Sequence, residues 1–430
     1  MAHPRNLLFA ALIPLAACGQ DIQLGPDGWS LRGDEPKESS KEPKEVEGFE
    51  EPAPLRCDGP PPPERIFDLG DDTVSMSIGV GPRGCPRVLF SQRDALHIAR
   101  WVQGSWSIEQ VPAFAASDDV PQYRSTLHVD SRGRETVFAT SKDAPRLVAL
   151  RPSKDMWIQE EVASRWVWKM RGFTDSDGQI RVLAYTADEQ YSGTNMRLRV
   201  FTEQKKQQWS DEVLGEGMAL QSLFYPTMAS APQSRALTLP VLENVGGKVG
   251  AYNENLSVFT VTSEGERHEK VESKELGPTS DVLLAQQTDA LHLFAFAKRP
   301  YPYPGTPGPQ TIAHLRRDLD TSVWQTSWLE ACADVLCRPM DTFVDERQRV
   351  HLIFGRRDAD LGARQMRLFR SVWSDALGWS AADEVGVFDD SVSHQVAYDP
   401  FTGVTHLIAP RYTAQYVRSA VYVAIAPFKS

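Results

Sequence analysis

Apolar and polar positions along the 430-residue chain follow one rhythm. A short apolar strand runs into a polar turn and resumes as a second apolar strand, seven times, at intervals of about 45–60 residues. Three clear copies run from Leu127 to Phe138, from Phe343 to Phe354 and from Val396 to Ile408, with polar turns opening at Asp130, Asp345 and Asp399. Period-2 alternation and a β-branched and aromatic bias predict strands throughout. The first unit reads as four strands, near Ser75–Val80, Arg87–Phe90, Leu96–Arg100 and Trp106–Val111. A mostly-strand unit repeated in this way predicts an all-β chain folded as a single β-propeller of seven blades. Six blades are the fallback if the degenerate fourth repeat, roughly 225–275, is not a true blade. That repeat keeps strands near Ala236–Val241 and Leu256–Val261 but has no tryptophan.

The last repeat is one strand short, ending in Ala420–Pro427, and an orphan strand, Arg65–Leu69, precedes the first. Pairing the two would close the ring and leave no open sheet edge at the seam. A tryptophan recurs near the start of the last strand in five of the units, as Trp106, Trp157, Trp209, Trp324 or Trp328, and Trp379. A large apolar side chain locked to the repeat predicts a wedge between neighbouring blades.

The first residues follow a different rule. Arg5 precedes an apolar run from Leu7 to Ala17, which is too short to cross a bilayer. It ends in Leu15-Ala16-Ala17-Cys18, which resembles the lipobox of bacterial lipoproteins. The resemblance implies a signal peptide at 1–17, a diacylglycerol on Cys18, and attachment to a membrane of the bacterial cell envelope. Gly19 in place of an acidic residue implies the outer membrane. Residues 18–64 then read as a disordered Pro/Glu/Lys-rich tether, and 65–430 as the propeller domain. From residue 20 to residue 64 there are 12 acidic and 5 basic side chains, so −7 of the chain's net −11 belongs to this stretch. The propeller is close to neutral, which argues against nucleic acid as a partner.

With Cys18 acylated, four cysteines remain, an even number suited to an oxidising compartment. Adjacency predicts the disulfides Cys57–Cys85 and Cys332–Cys337. His292, His351 and His406 share one register after the turns of repeats five to seven. They fall on separate blades, which predicts hydrogen-bonded packing positions and no metal site. Asp175-Ser-Asp-Gly178 resembles part of a calcium loop but lacks the later acidic ligand, so a hairpin turn is expected. No cofactor is expected. A Pro-rich insertion carries Tyr301 and Tyr303, candidates for ligand contact from a stiff loop.

The blade grammar resembles the secreted sialidase-like and BNR-type propellers of bacteria over about residues 65–430. Fragments of their Asp-x-x-Gly turn stand at Asp130–Gly133 and Asp175–Gly178. The Arg-Ile-Pro motif that carries a sialidase's first catalytic arginine is not present, since Arg65-Ile66 runs into Phe67. No Arg cluster or Tyr/Glu pair can be assigned. The resemblance therefore implies the fold more than the activity. The expectation is a membrane-anchored, non-catalytic propeller that binds a glycan, a peptide or an envelope protein through a loop face. The alternative is a sialidase-like glycoside hydrolase or lyase acting on an extracellular carbohydrate.

Overall fold

In a computed structural model the described residues are 62 and most of 64–428. Outside the description are short turn positions and several connections, the longer ones being 112–124, 188–195, 219–236, 244–254 and 299–309. Residues 49–430 form one compact unit.

The chain builds seven antiparallel sheets in sequence order, the blades of a seven-bladed β-propeller. It opens with β1 (Arg65–Gly70), set aside for the last blade. Blade one is β2 (Met76–Gly81), β3 (Cys85–Gln92), β4 (Ala95–Val102) and β5 (Ser105–Val111). Blade two is β6 (Ser125–Val129), β7 (Glu135–Thr140), β8 (Leu147–Ser153) and β9 (Met156–Ala163). Blade three is β10 (Trp166–Thr174), β11 (Ile180–Ala187), β12 (Met196–Lys205) and β13 (Gln208–Met218). Blade four contributes β14 (Leu237–Glu243), β15 (Asn255–Thr262) and β16 (Gly265–Lys270). Blade five is β17 (Thr279–Gln286), β18 (Ala290–Lys298), β19 (Gln310–Asp318) and β20 (Gln325–Trp328). Blade six is β21 (Cys337–Val344), β22 (Val350–Arg356), β23 (Gln365–Ser374) and β24 (Gly378–Trp379), with β25 (Asp383–Asp389) also pairing β23. Blade seven is β26 (Gln395–Tyr398), β27 (Thr405–Tyr412) and β28 (Arg418–Ile425).

The ring closes as the orphan strand predicted. β1 pairs antiparallel with β28, Arg65 opposite Tyr422 and Phe67 opposite Ala420, and so becomes the fourth strand of blade seven. Phe67 is buried against Phe90 and, edge-on, against Trp106, so the closing strand is also held by blade one.

The tryptophans are wedges between blades. Trp106 on blade one packs into a cluster with Tyr422 of blade seven. Trp157 packs between blades one and two, Trp209 between two and three, Trp324 and Trp328 between four and five, and Trp379 between five and six. Polar atoms lock two of these seams. The Trp157 indole donates to Glu109 of blade one at 2.6 Å, and the Trp324 indole to Glu269 of blade four at 3.1 Å. Arg100, Arg151 and Arg317 lie over the rings of Trp157, Trp209 and Trp324.

Blade four differs from its neighbours. The tight β15–β16 hairpin and the long β14–β15 connection match the third-to-fourth and second-to-third connections of other blades. Glu269 on β16 also occupies the place that Glu109 has on the last strand of blade one. Its three described strands therefore take the places of the second, third and fourth strands of a blade.

The turns explain the repeat seen in sequence. Asp130 accepts backbone N–H groups of Arg132 and Arg134 at 2.9 and 2.8 Å, and Asp345 does the same for Arg347 and Arg349 at 3.0 and 2.9 Å. Each aspartate caps a hairpin whose left-handed position is Gly133 in one copy and Gln348 in the other. The repeat-locked histidines brace these turns and strands. His351 Nε2 lies 3.0 Å from Asp345, His292 Nε2 lies 2.6 Å from the Gln287 side-chain oxygen, and His406 Nδ1 shares a 2.6 Å hydrogen bond with the Tyr422 hydroxyl. Among the described residues, no group of three metal-ligating side chains converges.

Strand alternation gives the ring two different faces. First-to-second and third-to-fourth connections are tight and share one end, here the turn face. The remaining connections share the other end, the loop face, and include all the long ones.

Two outcomes follow from burial. Phe67→Ala removes the aromatic anchor of the closing strand, and a loss of about 3–5 kcal/mol in denaturant unfolding is expected. His292 and His406 are held neutral by burial, their pKa values lowered to about 3 and about 4. The folded protein thus takes up fewer protons than the unfolded chain below pH 6.5. Stability is full above that value and falls as pH drops toward 4, by about 1.4 kcal/mol per unit for each histidine. Unfolding midpoints measured from pH 7 to pH 4.5 should show this slope, and His406→Gln should flatten it.

Candidate functional site

Six innermost strands, β2, β6, β10, β17, β21 and β26, line a cavity of about 330 Å³ on the propeller axis. Its size falls within the range of ordinary ligand pockets. Two glycine positions let the strands crowd together there. A Cβ on Gly79 would meet Val129 at 2.6 Å, and one on Gly172 would meet Phe138 at 2.6 Å and His128 at 2.9 Å.

Polar side chains bridge neighbouring innermost strands where no strand pairing does. Ser77 Oγ accepts the Leu127 N–H at 3.0 Å, and His128 Nε2 shares a 2.7 Å hydrogen bond with Thr174. Asp341 Oδ2 accepts the Val396 N–H at 3.0 Å and its Oδ1 the Thr342 N–H at 2.8 Å. Arg338 donates to Asp281 Oδ2 through Nε at 2.9 Å and lies 2.7 Å from it through Nη2. Arg171 also lines the cavity and acts electrostatically on Asp341.

The two carboxylates sit at irregularities. Asp281 is the extra residue of a bulge in β17, between Ser280 and Val282, with φ of 45°. Asp341 directly follows a second bulge, at Met340 in β21. Bulges re-aim side chains and recur beside active sites, and a left-handed aspartate costs backbone energy that a purely structural strand would avoid.

Burial sets the protonation states. Desolvation pushes the Asp341 carboxyl above the usual carboxylate range, against the opposing pull of Arg171 and two backbone N–H groups. Desolvation also lowers His128 to about 4, so its imidazole is neutral at physiological pH.

Of the sequence-predicted site residues, the structure brings Cys332 and Cys337 together as a disulfide, Cα to Cα 5.7 Å. It spans the connection from β20 to β21, and Arg338 is the next residue after it. Cys85 is buried on β3. Cys18, Cys57, Tyr301 and Tyr303 lie outside the described residues, although β18 and β19, which flank the two tyrosines, meet at the loop face. Arg171, Asp281, Arg338, Asp341 and His128 were not singled out from sequence. The only signal was a charged residue or two interrupting the innermost strands of blades three, five and six, and one histidine in that of blade two.

No protein-family model and no curated protein matches the chain. Solved structures do share its fold. "Structure of a new family of Polysaccharide lyase PL25-Ulvanlyase" superposes with a TM-score of 0.54 at 12% identity, covering 83% of this chain and 95% of that one. The same lyase bound to -[GlcA(1-4)Rha3S]- gives the same values. "Crystal structure of polysaccharide lyase Uly1" gives 0.52 at 10% identity, covering 84% and 99%. The expectation of a non-catalytic binding propeller is corrected by these likenesses: the neighbours are carbohydrate-active enzymes. The physical reason for the error is dispersal. Carboxylates, a histidine and guanidiniums spread over several blades make no motif, and only ring closure gathers them.

Asp281→Gly relieves the left-handed strain while losing the ion pair, whereas Asp281→Val loses the pair and keeps the strain. Denaturant midpoints should place the valine variant at least about 1 kcal/mol below the glycine variant.

Proposed function

We propose that the chain is a carbohydrate-cleaving enzyme, a lyase acting on an acidic polysaccharide in the axial cavity. One observation carries this reading: ring closure gathers two guanidiniums, Arg171 and Arg338, and two carboxylates, Asp281 and Asp341, around one cavity. The likeness in fold to polysaccharide lyases, one of them bound to a uronate-containing oligosaccharide, supports it.

The chemistry asks for few parts. Eliminating across a uronate needs a cation to neutralise the carboxylate, a base to take the proton from the adjacent carbon, and an acid to protonate the leaving oxygen. The carbon–oxygen bond breaks and a carbon–carbon double bond forms. Arg171 and Arg338 are suited to the carboxylate. His128, neutral at working pH, can accept a proton, and Asp341 retains its proton to higher pH than an ordinary aspartate, as a general acid requires. Asp281 holds Arg338 in place.

On this reading the protein works from the cell envelope, anchored through acylated Cys18 to the outer membrane. The lipobox resemblance and the acidic tether support that placement.

The test is incubation of the protein with uronate-containing and neutral polysaccharides. Ultraviolet absorbance follows the unsaturated product, and new reducing ends follow cleavage of any kind. Cleavage of an acidic polymer with absorbance is expected, and Arg171→Ala or Arg338→Ala should lower kcat/KM by about 100-fold or more, with the melting temperature nearly kept in Arg171→Ala and lowered in Arg338→Ala, which leaves Asp281 without its ion-pair partner. Reducing ends without absorbance would mean hydrolysis, and cleavage indifferent to both arginines would move the site elsewhere.

A further inference from the structure

The two faces of the ring differ in what they expose. Nine large apolar side chains are exposed among the described residues, and five stand on turn-face hairpins: Met156, Leu319, Val323, Leu377 and Phe401. Leu377 is 87% exposed and Phe401 80%, values no packing role within the ring explains. The hairpins of blades five and six are tied together, since Arg316 of blade five lies 3.0 Å from Asp375 of blade six. Leu319, Val323 and Leu377 therefore project from neighbouring turns.

The course of the chain says what could cover them. As the fourth strand of blade seven, β1 runs from the turn face to the loop face, so the chain enters the propeller through Arg65 at the turn face. The 46 residues between Cys18 and Arg65 thus join the ring on the side where the apolar side chains stand. A coil of that length spans about 35–40 Å on average. An acyl group at its far end would keep the turn face within a few tens of ångströms of a bilayer, at millimolar effective concentration, where weak contacts suffice. Exposed Arg132 and Arg347 share this face with exposed Glu346, Asp320 and Asp375. With exposed Asp289 of the β17–β18 turn, acidic side chains outnumber basic ones there, so apolar insertion rather than headgroup attraction would supply the contact.

We propose that the turn face is a membrane-docking surface, seated on the bilayer through the apolar side chains of blades five to seven. The proposal rests on the lipid anchor at Cys18. It leaves the loop face directed away from the membrane toward the polymer. The partner is a lipid surface and not a second protein.

The test uses the full chain, acylated in its host, on vesicles of phosphatidylethanolamine and phosphatidylglycerol. Flotation first asks whether the chain is anchored and whether Cys18→Ser releases it. Amide hydrogen exchange then compares anchored protein with the released variant. Exchange about tenfold slower in the 318–324, 374–378 and 399–404 turns, with no change at 357–362, is the expected result. The double variant Leu377→Asp, Phe401→Asp should float as before but lose that protection. Anchored protein with unprotected turns, or with protection at the loop face, would overturn the docking surface while leaving the anchor intact. Failure to float would overturn the anchor, and the docking surface with it. Protection that persists without lipid and grows with protein concentration would point to a second copy of the chain and overturn the lipid assignment.

Discussion

Closure of the ring by β1 on β28 is the constraint from which the rest follows. A blade alone is a small sheet with two exposed edges and two apolar faces, and it becomes stable only by packing against neighbours on both sides. Pairing the first strand with the last sheet removes the one seam at which the array could open. It also fixes the innermost strands around one axis. Arg338 of blade six can therefore reach Asp281 of blade five, and Asp341 can reach the Val396 backbone of blade seven. The axial cavity is a consequence of the closed circle, and so is the meeting of its charges.

The seams show how the circle is held. Where the last strand of a blade carries tryptophan, the ring fills the wedge, and an arginine covers it from the preceding blade at Trp157 and Trp209 and from the same blade at Trp324. The last strand of blade seven is β1, which has no tryptophan. At that seam Arg370 instead lies over Phe428 and donates to the Ala426 carbonyl at 2.7 Å. A second cavity remains there, lined by Arg370, Asp383, Val385 and Phe428. Its place in the repeat gives it a packing explanation, whereas the axial cavity has none, because nothing in the blade pattern requires aspartates at bulges.

Much of the fold was legible because it repeats. The strand–turn–strand rhythm, the wedge tryptophans, the closing strand at Arg65 and the Cys332–Cys337 bridge all leave local signatures. The site left almost none. Asp281 looks like one polar residue at the start of an apolar strand, and no sequence rule marks its left-handed backbone or the bulge that aims it. Arg171 and Asp341 are far apart in sequence and meet electrostatically only across the axis. No motif marks these charged groups as a set, and a chain without such a motif reads as non-catalytic. The resemblance to sialidase-like propellers pointed to the blade architecture, while the charged groups of the axial cavity lie at positions that the resemblance did not cover.

Stability and function pull on the same residues. Asp341 ties blade six to blade seven and, by its raised pKa, is also suited to carry a proton. Arg338 braces a strained aspartate and also presents a cation to the cavity. The account's central claim is that an acidic glycan binds on the axis, among these groups. A crystal structure of the protein with a uronate-containing oligosaccharide tests it most directly. The account predicts a sugar carboxylate within hydrogen-bond reach of Arg171 or Arg338, inside the axial cavity. Sugar bound only on the outer rim, with the cavity filled by water at saturating ligand, would contradict it.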